Sequence, residues 1–151
     1  MKIVAFNGSA RRQGNTAILL KYVLAELEKE GIETELVELA GAKIHGCLAC
    51  RKCSTKKNRR CSQEGDDMGN VCIEKMDAAD GILLGSPTYV ADVSPEIKAL
   101  MDRGCLVSRV NGGMLERNWA RRWLRCSRRG RCTLSTRSTI FFYQSNDRAW
   151  L

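Results

Sequence analysis

The stretch that decides the fold is a polar turn near the start of the chain, Asn7-Gly8-Ser9-Ala10-Arg11-Arg12-Gln13-Gly14-Asn15-Thr16. The short apolar run before it, Lys2–Phe6, is typical of a strand buried on both faces of a parallel sheet. After the turn, apolar residues recur at helical spacing and predict a helix from about Asn15 to Glu30. The stripe consists of Ile18, Leu19, Tyr22, Val23 and Leu27. Asn15 or Thr16 is expected to cap this helix, and Gly31 to end it.

Further along the chain, the same alternation of strand and helix is repeated. Ile32–Leu39 and Gly81–Gly85 predict two more strands. A helical stripe at Met68, Val71, Cys72, Met76 and Ala79 precedes the third strand. A helix capped by Ser94, with Pro95 in its first turn and Ile97, Leu100 and Met101 on its inner face, follows that strand. Because strands and helices alternate, we expect an α/β fold with a parallel sheet and helices on both faces.

The turn Asn7–Thr16, called the phosphate loop below, has the composition of an anion site. Unpaired backbone N–H groups and the positive end of the helix dipole meet where a strand leads into a helix. Gly8 and Gly14 let the backbone approach a ligand closely, while Arg11 or Arg12 adds charge. The loop has neither a Walker Gly-Lys-Ser/Thr nor a G-x-G-x-x-G pattern. The alternative is a polar turn with a good helix cap.

This loop resembles the phosphate loop of the flavodoxin-like NAD(P)H-dependent FMN reductases, and Gly85-Ser86-Pro87-Thr88-Tyr89 resembles that family's second flavin loop. The resemblance covers about residues 1–116. It implies a flavodoxin-like doubly wound sheet of order 2-1-3-4-5, of which only 2-1-3 is legible. It implies an FMN phosphate site at Ser9, Arg11, Gly14, Asn15 and Thr16, and an isoalloxazine site at Pro87, Thr88, Tyr89 and Val90. In such a sheet, ligands bind outside the carboxyl ends of strands 1 and 3, where both loops are expected.

Four of the eight cysteines fall between positions 47 and 61. Cys47, Cys50 and Cys53 form a C-x2-C-x2-C run that can wrap one face of a cubane cluster, and Cys61 follows as a distant fourth ligand. A zinc ribbon would instead need two separated C-x2-C knuckles. The run is similar to the cysteine motif of the iron–sulfur flavoproteins, a branch of the same family. That similarity implies a [4Fe-4S] cluster near the flavin; a reduced or redox-active cysteine loop and a zinc site remain alternatives.

Other residues of the same region are expected to be structural. The segment Gly46–Gly65, called the cysteine loop below, has no apolar period and is predicted to be irregular. Cys72, on a helix, and Cys105, just past a helix end, are expected to be small core residues. His45, the only histidine, is interpreted as a solvated turn residue rather than a general base. The basic residues Lys56, Lys57, Arg59 and Arg60 could offset thiolate charge or receive an acidic partner.

Taken with the resemblance, these motifs predict an oxidoreductase that transfers electrons through bound FMN, with or without a cluster. NAD(P)H or a ferredoxin-type carrier is the implied electron donor, and intact relatives are implied to be homo-oligomers. No catalytic acid or base is expected. No apolar run is long enough to span a membrane, and uneven cysteine spacing argues against a disulfide framework, so we expect a cytoplasmic protein. An alternative is a small metal- or thiol-binding module without flavin.

The composition changes at about Arg117. Residues 1–116 hold sixteen Lys and Arg against sixteen Asp and Glu, whereas residues 117–151 hold nine Arg and only Asp147. All three tryptophans, Trp119, Trp123 and Trp150, lie in this tail. A nucleic-acid binder with the tail as its binding surface is a further alternative, with Trp119 and Trp123 stacking on bases. Its cations would be Arg121, Arg122, Arg125, Arg128, Arg129 and Arg131.

We interpret the break as the end of an incomplete FMN-binding domain, residues 1–116, and the start of an anomalous tail, residues 117–151, outside the native fold. One hypothesis is a shifted reading frame: dropping two nucleotides from any codons for Asn118-Trp119-Ala120 gives Leu-Gly, and GC-rich arginine codons then give Ala-Ala-Val-Val-Ala-Val. A lineage-specific basic tail is the alternative, and resequencing the gene separates the two. If the frame is shifted, we expect no strand of the tail to pack on the sheet and strand 3 to present an open edge.

Overall fold

In the computed structural model, which describes residues 1–90 and 92–115 and the backbone of 138–144, the strands form one sheet of order β2-β1-β3-β4. The strands are β1 (Lys2–Asn7), β2 (Glu33–Glu38), β3 (Gly81–Pro87) and β4 (Ser138–Gln144). The central strand β1 pairs parallel with both β2 and β3. The predicted α/β fold and the order 2-1-3 are therefore confirmed.

Helices cover both faces of this sheet. They are α1 (Asn15–Lys29), α2 (Lys52–Lys56), α3 (Gly69–Ala78) and α4 (Pro95–Val110). Ala5 and Leu83 pack with Leu20 and Leu24 of α1 on one face. On the other face, Val4, Phe6, Ile82 and Leu84 pack with residues of α3 and α4 that include Ile73, Ile97 and Leu100. Alternate residues of β1 and β3 thus enter two cores, which explains why both strands are apolar throughout.

The tail contributes a strand, contrary to expectation. β4 pairs antiparallel with β3 over the whole length of both strands, from Gly81 opposite Gln144 to Pro87 opposite Ser138. The expectation that no strand of the tail packs on the sheet is wrong, and the edge of β3 is covered. The physical reason is that an open edge strand presents unpaired backbone N–H and C=O groups, and any extended segment can form hydrogen bonds with them. Because β4 runs antiparallel, it is not the fourth parallel strand of the flavodoxin order.

The helix α1 differs from its predicted stripe. Ile18, Leu19 and Tyr22 are exposed, whereas Thr16, Ala17, Leu20 and Leu24 are buried. The small residues Thr16 and Ala17 allow the first turn to lie close to the sheet, so the buried face is rotated relative to the largest side chains. The N-cap is Gly14 rather than Asn15 or Thr16. Gly31 has the positive φ expected of a residue that ends a helix.

Smaller differences concern the cysteine loop and α4. The loop is not wholly irregular, because α2 forms inside it and buries Cys53. Cys105 lies within α4 rather than past its end. On α3, Val71 is exposed and Ile73 takes its place in the core.

Among the described residues, no helix is long and apolar enough to cross a membrane. The tail residues of the nucleic-acid alternative, Trp119 to Arg131, lie outside the described residues, and the domain boundary at 116 remains a prediction.

A buried ion pair fixes the segment between β2 and α3. Arg103 of α4 is 1% exposed, and its Nη1 lies 2.5 Å from Oδ1 of Asp67. The Asp67 carboxylate also accepts the backbone N–H groups of His45 at 2.8 Å and Gly69 at 2.7 Å. Arg103 in turn donates to the carbonyls of His45 at 3.3 Å and Gln63 at 3.4 Å. One pair therefore joins α4, the start of α3 and both sides of the cysteine loop.

This pair requires glycine at position 69. A Cβ there would lie 2.3 Å from Nη1 of Arg103, a separation that real atoms do not adopt. Burial favours the neutral form of Asp67, but the N–H of His45 and the guanidinium of Arg103 outweigh it and lower the pKa of this carboxyl. The stabilisation from Asp67 is thus fully present above the pKa of an unfolded Asp, about 3.9, and is lost as pH falls through the lowered folded value.

We predict that Asp67→Ala lowers the free energy of unfolding by about 3–5 kcal/mol at neutral pH, because it leaves the Arg103 guanidinium buried without a counter-charge. Urea unfolding measures the change. The neighbouring Asp66 is the matched control, since its side chain is 85% exposed and pairs only with Lys43 at the surface. Asp66→Ala should cost no more than about 1 kcal/mol. Equal losses for the two variants would contradict the role given to the buried pair.

Candidate cofactor site

The two predicted loops meet at the carboxyl edge of the sheet. The amide of Gly8, just after β1, donates a 2.7 Å hydrogen bond to the carbonyl of Gly85 in β3. A Cβ at Gly8 would lie 2.1 Å from Cγ1 of Ile97, and a Cβ at Gly85 would lie 2.6 Å from Cδ1 of Leu20. Only glycine therefore allows α4 and α1 to pack this closely over the ends of the two strands. The contact brings both helix N-termini to the same edge.

Internal hydrogen bonds shape the phosphate loop. Asn7 is fully buried; its Oδ1 accepts the amide of Ser9 at 3.1 Å, and its Nδ2 donates to Oε2 of Glu38 at 2.7 Å. Oγ of Ser9 accepts the amide of Arg11 at 3.1 Å. The amide of Gly14 donates to the carbonyl of Arg11 at 3.0 Å and closes the turn. Because the Ser9 hydroxyl accepts within the loop, its own hydrogen is left to donate to a ligand.

The N-terminus of α1 has no side-chain cap. Its first backbone N–H groups therefore have no intrahelical acceptor and no capping oxygen. Asn15 and Arg11 are exposed beside this end, Gly14 is half-buried, and Thr16 is buried. Arg12 differs from Arg11, since its Nη2 donates to the carbonyl of Ala40 at 3.4 Å. The structure thus places all five predicted phosphate residues on one turn around a positive helix end.

The second loop, Ser86–Val93, is called the ring loop below. Oγ of Ser86 accepts the amide of Ser94 at 2.7 Å and donates to the carbonyl of Pro87 at 2.7 Å, which ties the loop at its base. Tyr89 and Asp92 exchange backbone hydrogen bonds of 2.8 and 3.0 Å. Val90 between them is fully exposed with φ of +46°, a rare conformation for a β-branched residue. Such strain is concentrated at ligand-binding loops.

These features fit a flavin mononucleotide. An uncapped helix end beside Arg11 suits a phosphate group. The ring loop holds Tyr89 45% exposed and Thr88 and Pro87 half-buried, so that a flat apolar ring system could lie against them. At the base of this loop, Oγ of Ser94 is fully buried and has no hydrogen-bond partner among the described residues. A buried hydroxyl without a partner is uncommon in folded proteins, where most buried polar groups are hydrogen-bonded.

The cysteine loop divides its four predicted ligands into two pairs. Cys47 and Cys50 are exposed, whereas Cys53 and Cys61 are buried in the same apolar cluster as Cys72. Four non-glycine residues of this loop have positive φ values between 44 and 61°, namely Ala49, Arg51, Lys57 and Arg59. Such conformations are rare for residues other than glycine and mark a strained backbone. Within the described ranges, no three Cys, His, Asp or Glu side chains come together as a metal site.

Cys61 is the most firmly held of the four. Its amide donates to Oδ1 of Asn70 at 2.7 Å, and its carbonyl accepts Nδ2 of Asn70 at 3.0 Å. The same Nδ2 donates to the carbonyl of Gln63 at 2.9 Å. The sulfur lies beside the Arg103 guanidinium: burial lowers the pKa of this arginine, but Asp67 and Cys61 raise it above its usual value.

The remaining cysteines differ in chemistry. A hydrogen bond with Ser62, whose Oγ lies 3.1 Å from the sulfur, lowers the pKa of the exposed Cys50 thiol. Burial raises the pKa of Cys72 to about 11 and also raises that of Cys105. Cys72 is a buried core thiol, as predicted, whereas Cys105 is only half-buried and lies outside the core cluster. His45 is exposed, and its backbone N–H and carbonyl bond to Asp67 and Arg103. Its exposure agrees with its interpretation as a solvated residue.

The four cysteines are of the right type for an iron–sulfur centre. In the part of the chain that the structure describes, however, they do not lie close enough together to share a metal. Four thiols lie within fifteen residues, two of them buried. Nε of Arg103 is a buried donor without a partner among the described residues and would suit a negatively charged sulfur site. The exposed turn of Cys47 and Cys50 would have to fold toward the buried pair for all four to share a metal.

Sequence reasoning missed three residues that shape the site: Asn7, Asn70 and Arg103. All three are buried polar side chains. Asn7 bonds to the Glu38 side chain, Asn70 to the carbonyls of Cys61 and Gln63, and Arg103 to the carbonyl of His45, 58 residues away. No local sequence pattern predicts a hydrogen-bond partner that is distant along the chain. The only available signal was a charged residue, Arg103, on the otherwise apolar inner face of the α4 stripe.

Several relatives among known proteins are iron-sulfur flavoproteins. An iron-sulfur flavoprotein of Methanocaldococcus jannaschii is 42% identical over 103 residues, which cover 68% of this chain and 51% of that protein. An iron-sulfur flavoprotein of Archaeoglobus fulgidus is 40% identical, with coverage of 68% and 48%. One from Methanosarcina thermophila is 33% identical, with coverage of 74% and 56%. The chain thus spans about half the length of the curated relatives it matches.

Among solved structures, the apo form of an NADH:FMN oxidoreductase is 24% identical, with a TM-score of 0.46 over 67% of this chain and 48% of that one. This likeness is too low to carry an argument. The family model described as NADPH-dependent FMN reductase matches residues 1–121, a range that contains the phosphate loop, the cysteine loop and the ring loop. The chain therefore belongs to the NADPH-dependent FMN reductase family.

Proposed function

We propose that this protein is an FMN-dependent oxidoreductase that transfers electrons through a flavin bound at the carboxyl ends of β1 and β3. The observation that carries the proposal is the direct bond between Gly8 and Gly85, which places the phosphate loop and the ring loop side by side. This edge is where the order of a doubly wound sheet changes direction and where such sheets bind their ligands. The family match is consistent with this ligand.

The phosphate loop binds and orients the cofactor. Arg11 offers a charged fork to the phosphate, and Ser9 and Thr16 offer hydroxyl hydrogens. Asn15 offers a backbone N–H group at the start of α1, and Gly14 lets the backbone come close to the phosphate. Asn7 keeps the loop open by holding the Ser9 amide. Because the loop is bonded internally and to β2, it is preorganised before the ligand arrives, and little ordering entropy remains to be lost.

The ring loop contacts the isoalloxazine. Pro87, Thr88 and Val90 present backbone groups, and Tyr89 presents an aromatic side chain. The flavin supplies the redox chemistry when bound, accepting a hydride or single electrons. The protein positions the ring, excludes water from one side and sets its potential. Since the flavin performs the reaction, no acid or base of the chain is assigned to it. NAD(P)H or a ferredoxin-type carrier is the proposed electron donor.

Cys47, Cys50, Cys53 and Cys61 are proposed to hold a [4Fe-4S] cluster that relays electrons to or from the flavin. Curated relatives of this chain carry the name iron-sulfur flavoprotein. The cysteine loop begins after β2, at the same edge of the sheet as the flavin loops, because the amide of Leu39 donates to the carbonyl of Asn7 at 3.0 Å.

Arg11→Ala should weaken FMN binding about tenfold or more and leave riboflavin binding nearly unchanged. A charge-assisted hydrogen bond to phosphate contributes about 1.5–3 kcal/mol of binding free energy. Riboflavin lacks the phosphate, so it does not form this bond and its affinity does not depend on Arg11. Flavin fluorescence titration with each ligand gives the two dissociation constants. The matched control is Arg12→Ala, because Arg12 is directed to the carbonyl of Ala40. An equal loss for both ligands would show that Arg11 does not bind the phosphate.

Reconstitution with iron and sulfide under argon should load one cluster per chain. Cys53→Ser should abolish uptake, whereas Cys72→Ser should leave it intact, with iron and sulfide analysis as the measurement. The pair is well matched because both thiols are buried in one apolar cluster, so the two substitutions disturb packing similarly. If Cys72→Ser is the damaging change, the ligand assignment is wrong.

A further inference from the structure

A cavity of about 550 Å³ lies where the cysteine loop meets the C-terminal end of α4. Its wall consists of Lys57 and Arg59 from the loop and of the stretch Val110-Asn111-Gly112-Gly113-Met114. It is called the basic pocket below. Pockets that bind small molecules commonly enclose about 300–1,000 Å³. The 16 residues of α4, roughly 24 Å of helix, separate this pocket from the ring loop, so it is distinct from the proposed flavin site.

Hydrogen bonds hold the two sides of the basic pocket together. The amide of Arg59 donates to Oδ1 of Asn111 at 3.0 Å, and Nδ2 of Asn111 donates to the carbonyl of Val107 at 2.8 Å. Gly112 and Gly113 have φ values of +73° and +70°, which suit glycine and let the chain turn sharply after α4. The cavity is therefore enclosed by connected parts of the fold and is not a gap between unrelated segments.

The wall of the basic pocket combines positive charge with apolar surface. The guanidinium of Arg59 is neutralised by Asp77 of α3, with which it forms an ion pair. Lys57 is exposed and has no acidic partner in the part of the chain that the structure describes. Met114 is buried and Val110 is half-buried. None of the seven described residues in the wall is acidic. One uncompensated cation beside an apolar wall suits an anion that carries an apolar body.

We propose that the basic pocket is a second ligand site, which binds a small organic anion with its carboxylate or phosphate against Lys57 and its apolar body against Val110 and Met114. The phosphate loop and the ring loop contribute none of the described residues of its wall, so the inference does not depend on the flavin. A ligand in this position contacts both the cysteine loop and the turn after α4. Binding therefore links the basic part of the loop to that helix.

Four probes separate the parts of the proposed ligand. Phenyl phosphate and phenylacetate carry a ring and an anionic group, benzyl alcohol carries the ring without the charge, and inorganic phosphate carries the charge without the ring. Each is titrated into the full 151-residue chain in the presence of saturating FMN, which occupies the phosphate loop. Nitrogen–proton correlation NMR spectra follow the amide signals of Gly112 and Gly113, while the signal of Gly14 reports on the phosphate loop.

At least one of the two ring-bearing anions should shift Gly112 and Gly113 and leave Gly14 in place. It should bind at least about tenfold more tightly than benzyl alcohol or inorganic phosphate, because only it uses both the charge and the apolar wall. The tighter of the two identifies the head group as phosphate or carboxylate. Lys57→Met should weaken its binding about fivefold or more, since a charge-assisted contact is lost. The matched control is Lys56→Met, because Lys56 is equally classed as exposed but does not line the pocket.

Unchanged Gly112 and Gly113 signals with every probe would overturn the site. Equal affinities for benzyl alcohol and the ring-bearing anions would overturn the role of charge, and inorganic phosphate binding as tightly as phenyl phosphate would overturn the role of the apolar wall. Equal losses in Lys57→Met and Lys56→Met would overturn the assignment of Lys57. A chain that binds no FMN would show probe shifts at Gly14 as well, and the signals of Gly112 and Gly113 would still decide the proposal.

Discussion

The contact between Gly8 and Gly85 is the constraint on which the cofactor edge depends. The two glycines follow or end neighbouring parallel strands, and each lies under a side chain of a helix on a different face, Ile97 of α4 or Leu20 of α1. A methyl group at either position would push a helix away from the sheet. The close packing brings the uncapped start of α1 and the start of α4 to one edge. The close backbone contact thus forms the edge of the proposed site, and polar side chains add the groups that could contact a ligand.

A second constraint acts on the cysteine loop. A segment of about twenty residues without a core of its own has to be held by bonds to the rest of the fold, since its conformational entropy opposes order. The buried pair of Arg103 and Asp67, with Asn70, supplies those bonds at the base of the loop and leaves the cysteine turn itself exposed. Such an arrangement fixes where the loop starts and ends. Burying the Arg103–Asp67 pair costs free energy of desolvation. The pair therefore serves to fix the position of the cysteine loop and not only to stabilise the fold.

The fold was largely predictable because β1 and β3 are apolar on both faces, a pattern that few structures other than a central parallel strand satisfy. The phosphate loop was predictable for a related reason, since glycines and polar residues lie together in sequence. The orientation of α1 was not, because Thr16 and Ala17 approach the sheet more closely than Ile18 or Tyr22 can. Arg103 was not predictable as a partner of His45, because 58 residues separate them and no local period joins them. The pairing of β4 with β3 depends on an open edge rather than on a pattern in the tail.

The proposed FMN site lies at the edge formed by the phosphate loop and the ring loop. An absorption spectrum of the protein purified without oxygen tests FMN binding most directly, because a flavin has two resolved visible and near-ultraviolet bands that no side chain produces. We expect flavin bands near one equivalent per chain, together with a broad shoulder if the cysteine loop holds a cluster. A folded, colourless protein that stays colourless after incubation with FMN would contradict FMN binding at this edge.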